Sequence, residues 1–224
     1  MKKKLIIFDF DDTLTDNSER DYQSFLHVAE TYNLKPIERE VIQNWRRTGK
    51  SSNFIIKKLI TQETDDLEKY LNCRSKFLSS ISSYTNFVSL KNCAIDLLSE
   101  LTSTNLILVL NSLQPQHNVL LNILEYFDIK HFFKKIISRS LSSSENSFQN
   151  RSKLKKSMYQ DIMTEFELID KDDILIIGNL FSDIIPANEL NIDSLMIEGS
   201  FSFDMSQNHP CKKISKLKNI LEFV

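Results

Sequence analysis

The stretch Leu5-Ile6-Ile7-Phe8-Asp9-Phe10-Asp11-Asp12-Thr13-Leu14 decides the fold. Four apolar residues run without interruption and stop at an aspartate, and a second carboxylate follows two positions later. A short, continuous apolar run that ends abruptly in polar residues reads as a strand buried on both faces, as in a parallel sheet. Two more runs have this form: residues 106–110, followed by Asn111 and Ser112, and residues 174–177, followed by Gly178-Asn179-Leu180-Phe181-Ser182-Asp183. Shorter strands are expected at residues 135–137 and 194–197. Helical patterns at residues 94–101, 119–126 and 158–166 alternate with these runs. The alternation predicts an α/β fold built on a doubly wound, mostly parallel sheet.

Residues 17–84 break the pattern. Phe25, Val28, Ala29 and Tyr32, then Phe54, Ile55 and Leu59, recur at helical spacing, and no buried strand intervenes. The expectation is an inserted helical domain over residues 17–84, with residues 1–16 and 85–224 forming the α/β core. A chain of 224 residues has room for one large domain with a smaller insert, at roughly 150 residues per domain. Residues 138–152, rich in Ser and Asn, read as a surface loop. Residues 212–218, Lys-Lys-Ile-Ser-Lys-Leu-Lys, read as a last amphipathic helix.

With 28 Lys+Arg against 30 Asp+Glu, the formal net charge is −2. No general electrostatic footprint for nucleic acid or an acidic membrane is present, and neither is expected as a partner. Cys73, Cys93 and Cys211 are far apart and form no CxxC pair, which predicts free thiols in a reducing compartment. The apolar stretch after Lys2-Lys3-Lys4 stops at Asp9, short of the ~7–15 residues of a signal-peptide core. A cytoplasmic location is the expectation. Only 3 glycines are present, so Asn105, Asp128 and Asn191 are expected to fill left-handed turn positions.

In an open parallel sheet, ligands bind beyond the carboxyl ends of the strands. An aspartate at a strand end can attack phosphorus and split hydrolysis into two displacements, while a neighbouring carboxylate protonates the leaving oxygen and later deprotonates water. Asp9 and Asp11 have the spacing for these two roles. Aspartates also form turns and cap helices, but that reading leaves the polar ends of the other two strands unexplained.

Residues 5–14 resemble the first motif of the haloacid dehalogenase (HAD) superfamily, and three further motifs follow in order. Residues 106–112 resemble the second, with Ser112-Leu113-Gln114-Pro115 in place of the family's Thr-Asn-Lys-Pro turn. Lys153, six residues before Tyr159, resembles the lysine of the third, with Lys155 and Lys156 as alternatives in the same basic run. Gly178 to Asp183 resembles the fourth, Gly-Asp-x-x-x-Asp. The insert resembles the C1 cap of phosphoglycolate-phosphatase-like and β-phosphoglucomutase-like members.

The resemblance implies a HAD-like Rossmannoid core with a helical cap. It further implies a phosphatase that hydrolyses a small phosphorylated metabolite through an aspartyl-phosphate, as a monomer or dimer. Asp9 would be the nucleophile, Asp11 the general acid/base, and Ser112 and Lys153 the holders of the phosphoryl oxygens. Thr13 and Asn111 would contact substrate, and on the cap Arg47 and Lys50 would meet an anionic group. Mg²⁺ would be held by Asp9, Asp11, Asn179 and Asp183. Asn179 stands where the family has an aspartate, so weaker metal binding is expected. The alternatives are a phosphomutase of the β-phosphoglucomutase type and a HAD-fold binding protein with little catalysis.

Overall fold

In the computed structural model, which describes residues 3–60, 66–114, 116–141, 147–199 and 211–224, the first apolar run is strand β1 (Leu5–Phe8), wholly buried. It lies between β4 (Ile107–Ser112) and β6 (Ile174–Gly178), with β5 (Lys135–Ser138) outside β4, and β7 (Asp193–Ile197) then β8 (Lys212–Ile214) outside β6. All five pairings are parallel. Phe8 is in register with both Leu110 and Ile177, so Asp9, Asn111 and Gly178 emerge side by side at one edge. The register builds the site.

Alternate residues of β1 serve opposite layers, as the period of two requires. Ile6 and Phe8 pack with Leu97, Leu98 and Leu101 of α6 (Ala94–Ser103) and with Leu120, Ile123 and Leu124 of α7 (His117–Tyr126). Leu5 and Ile7 pack with Tyr159 and Ile162 of α8 (Phe148–Glu165) and Ala187 of α9 (Phe181–Glu189). Asn105, Asp128 and Asn191 take φ values of 63°, 55° and 56°, the left-handed positions expected of them.

The chain leaves and rejoins the core through a short antiparallel pair, β2 (Thr15–Asp16) and β3 (Ser89–Leu90). Among the described residues, five helices lie between these strands: α1 (Ser18–Thr31), α2 (Arg39–Arg47), α3 (Ser52–Leu59), α4 (Leu67–Leu78) and α5 (Ile81–Phe87). Ser51, Asp66 and Ser80 cap three of them by accepting backbone N–H bonds. Phe25, Val28, Ile42, Ile55, Ile56 and Tyr70 are buried together in a separate apolar cluster.

Two expectations are corrected. Residues 212–218 do not form an α-helix: Lys212–Ile214 add a strand, and Leu217–Phe223 form a 3₁₀ turn. Ile214, Leu217 and Ile220, three residues apart, all face the core, a spacing that suits a 3₁₀ turn. The exposed Lys212 and Lys213 blunt the sheet edge. The loop expected over 138–152 is shorter, because Ser147 caps α8 and the helix begins at Phe148; residues 142–146 lie outside the described residues, as does Pro115. Among the described residues, no helix is long and apolar enough to cross a membrane.

Candidate active site

Asp9 follows β1 directly, its backbone N–H donating to Ile177 O at 2.8 Å. Its carboxylate is held from both sides. Thr13 donates its hydroxyl to Oδ2 at 2.9 Å, and Lys155 donates to Oδ1 at 2.8 Å. The same ammonium reaches Asn111 O at 2.9 Å and Asp183 Oδ1 at 3.0 Å. Asp183 accepts from Leu180 N through its other oxygen, at 3.2 Å, in the first turn of α9. Gly178 is required beneath it, since a Cβ there would lie 2.5 Å from the Asp183 Cβ. Burial opposes the charge on Lys155, but Asp183 and Asp9 more than reverse that and hold the ammonium above its ordinary range. Burial likewise pushes the Asp183 carboxyl up, against the pull of Lys155.

The lysine is therefore Lys155, and the assignment to Lys153 is corrected. Lys155 shares the inward face of α8 with Met158, Tyr159 and Ile162, at i+3, i+4 and i+7, whereas Lys153 is exposed. This phase is legible in the sequence and favours Lys155 among the three lysines of the basic run, whereas the family spacing counted back from Tyr159 points to Lys153.

Asp11 turns towards the helical insertion. Tyr84 of α5 donates to its carboxylate, 3.0 Å from Oδ1 and 3.1 Å from Oδ2, and Asn17 Nδ2 donates to Oδ1 at 3.0 Å. Arg20 Nη1 of α1 lies 3.6 Å from Oδ1. Burial pushes the Asp11 carboxyl above its ordinary range, Arg20 opposes the rise and Asp9 adds to it. Neither Tyr84 nor Arg20 belongs to a motif, and nothing in their local sequence marks them.

The other proposed contacts are redistributed. Thr13 is fully buried and orients Asp9. Asn111 contributes its backbone carbonyl to Lys155, while its buried side-chain amide has no hydrogen-bond partner among the described residues. Ser112 Oγ accepts from Gln114 N at 3.1 Å. Arg47 and Lys50, the cations expected to meet an anionic group, are exposed, with Lys50 lying 5.3 Å above the Phe54 ring. The cation of α2 that turns inward is Arg46, four residues after the buried Ile42. Arg46 makes two bonds of 2.9 Å to Asp21, which Arg74 also reaches. Burial would raise the Asp21 carboxyl, but Arg74 and Arg46 outweigh it and hold the group below its ordinary range.

Among the described residues, no three His, Cys, Asp or Glu side chains form a metal-holding group. Asn179 provides an amide where the family pattern has a carboxylate. The remaining donors still suit a hard cation. Asp12 is buried, its Oδ2 has no partner among the described residues, and burial pushes its carboxyl up to about 6. A Cβ on Gly199 would sit 3.0 Å from Asn179 Nδ2 and 3.3 Å from Asp12 Oδ2, so both groups border one small space. Asp9, Asp11, Asp12 and Asp183 bring four carboxylates to this end of the sheet, and burial pushes the carboxyl up at the last three. Asp183, with both oxygens engaged, holds the lysine.

No curated protein matches the sequence. Among solved structures, a protein of Clostridium difficile provisionally assigned as a phosphatase aligns over 100% of this chain and 99% of its own, with 19% identity and a TM-score of 0.78. Protein tyrosine kinase A of Mycobacterium tuberculosis aligns over 99% and 98%, with 18% identity and a TM-score of 0.75. A provisionally assigned β-phosphoglucomutase of Thermotoga maritima aligns over 98% and 97%, with 16% identity and a TM-score of 0.68. At these identities the likeness shows the fold, an α/β Rossmannoid sheet, and leaves the reaction to the site. The sequence pattern of one family spans residues 6–197, covering the ends of β1, β4 and β6. The chain belongs to the haloacid dehalogenase-like hydrolases.

Proposed function

We propose that the protein is a Mg²⁺-dependent phosphatase of small phosphorylated metabolites, acting through an aspartyl-phosphate on Asp9. The observation that carries this reading is the buried ammonium of Lys155 shared between Asp9 and Asp183, with the carboxyl group of Asp11 beside them. Three similar folds, assigned as a phosphatase, a kinase and a phosphoglucomutase, are described by activities that move phosphoryl groups.

In the first displacement an Asp9 oxygen bonds to phosphorus as the bond to the leaving oxygen breaks. The leaving oxygen takes the electron pair and receives the proton of Asp11. In the second, water loses a proton to Asp11 and attacks the same phosphorus; the bond to Asp9 breaks and inorganic phosphate leaves. Lys155 and the Ser112 hydroxyl neutralise charge on the non-transferring oxygens, where positioning and electrostatics dominate. Asp9, the Asp11 main-chain carbonyl and the Asn179 amide would hold Mg²⁺, which leaves the Asp11 side chain to carry the proton, with Asp12 adding negative charge nearby. When bound, the cation offsets the charge of carboxylates and phosphate and aligns the two. We further assign the helical segment 17–84 as a cap that excludes water from the site.

Phosphate release from a panel of phosphate monoesters, with and without Mg²⁺ and with Asp9→Asn as the blank, tests this reading. Metal-dependent release above the blank supports it. Conversion of a sugar phosphate to its isomer without net phosphate release would make the protein a mutase, and no turnover of any ester would make it a binding protein.

A further inference from the structure

Tyr84 is the residue of the helical insertion that touches both oxygens of the Asp11 carboxylate. Its ring is buried and stacked on Phe10 at 6.4 Å between centroids, an ordinary core position. Its hydroxyl is not ordinary. Gln114 Nε2, from the loop after β4, donates to it at 2.9 Å. A phenol has one proton, and this bond occupies its oxygen as acceptor, so the proton is committed to Asp11.

Arg20 completes the arrangement. Its guanidinium carbon lies 3.5 Å from the centroid of the Tyr84 ring, while Nε donates to Ser83 Oγ at 3.1 Å and Nη2 to Leu78 O. A cation over the ring face draws electron density from the phenol and strengthens it as a donor. The two Asp11 oxygens are thereby made unequal. Oδ1 faces Asn17, Tyr84 and Arg20, whereas among the described residues Oδ2 faces Tyr84 alone.

Resting on the phosphatase reading above, we propose that Tyr84, backed by Arg20 and Gln114, is a positioning residue. It fixes the Asp11 carboxyl so that Oδ2 carries the transferred proton, and so makes leaving-group protonation depend on the helical insertion being seated against the core. Tyr84 and Arg20 come from the last and first helices of the insertion, whereas Asp11 and Gln114 come from the core. The alignment therefore exists only when the two parts are in contact.

The test compares p-nitrophenyl phosphate, whose leaving group departs without a proton, with β-glycerophosphate, whose alkoxide requires one. Tyr84→Phe keeps the ring and its stacking. It is expected to lower the ratio of kcat/KM for the alkyl ester to that for the aryl ester by about tenfold or more, in the same direction as Asp11→Asn. Gln114→Leu, which releases the Tyr84 proton from its orientation, should shift the ratio the same way by a smaller factor and stands in should Tyr84→Phe fail to fold. Equal losses on both esters, or none, overturn the positioning role while the phosphatase reading stands. Failure of the unmodified protein to hydrolyse either ester overturns both.

Discussion

The ammonium of Lys155 lies 2.8 Å from Asp9 Oδ1, across 146 residues of sequence, and shares its charge with Asp183. A buried cation between the buried Asp183 and the largely buried Asp9 is stable only as a set, because removing it leaves two like charges facing each other with little access to water.

Lys155→Met should therefore abolish phosphate release by a factor of about 10² or more and destabilise the fold by about 3–5 kcal/mol. Lys153→Met, on the exposed side of the same helix, should leave turnover within about twofold and stability within about 0.5 kcal/mol. Urea unfolding alongside ester hydrolysis checks both. A larger effect at position 153 would contradict the geometry.

Asn179→Asp adds a charge beside Asp12, whose Oδ2 lacks a partner among the described residues. Mg²⁺ affinity should rise on the order of tenfold, since ligand charge governs binding of hard cations. Without metal, the extra buried charge should lower the melting temperature. Isothermal titration and thermal unfolding measure the two effects, and equal affinities of the two proteins would refute the prediction.

Asp21 makes part of the stability pH-dependent. Its carboxyl is ionised beside Arg74 and Arg46 and held below its ordinary range. The folded state thus binds its proton more weakly than the unfolded chain does. The stabilisation is fully present above the unfolded value of about 4 and is lost as pH falls through the lower folded value. Asp21→Asn should cost about 3–5 kcal/mol at pH 7 by stranding two buried guanidinium groups. The gap from the unmodified protein should close in acid. Denaturant titrations at neutral and acid pH read this directly; a gap that widens in acid would reverse the sign.

Gly178→Ala places a methyl group 2.5 Å from the Asp183 Cβ. The aspartate must move, and Lys155 with it. A loss of about 1–3 kcal/mol is expected from the overpacking, accompanied by a fall in kcat greater than the change in KM, because in the proposed mechanism the displaced groups hold the transferring phosphoryl group.

The sequence by itself determined the sheet and the position of Asp9. Runs such as Leu5–Phe8 are apolar on every face, so they are buried only as central strands, and their abrupt ends fix where the polar groups emerge. The left-handed turns at Asn105, Asp128 and Asn191 were legible for the same local reason. Lys155 was half legible: the helical phase of Met158, Tyr159 and Ile162 points to it, but a basic run offers several cations and only packing selects the one facing inward. The grip of Tyr84 and Arg20 on Asp11, like the choice of Arg46 over Arg47, was decided by tertiary structure alone. Tyr84 stands 73 residues from Asp11, and a contact made by folding two distant segments together leaves no periodicity in either of them.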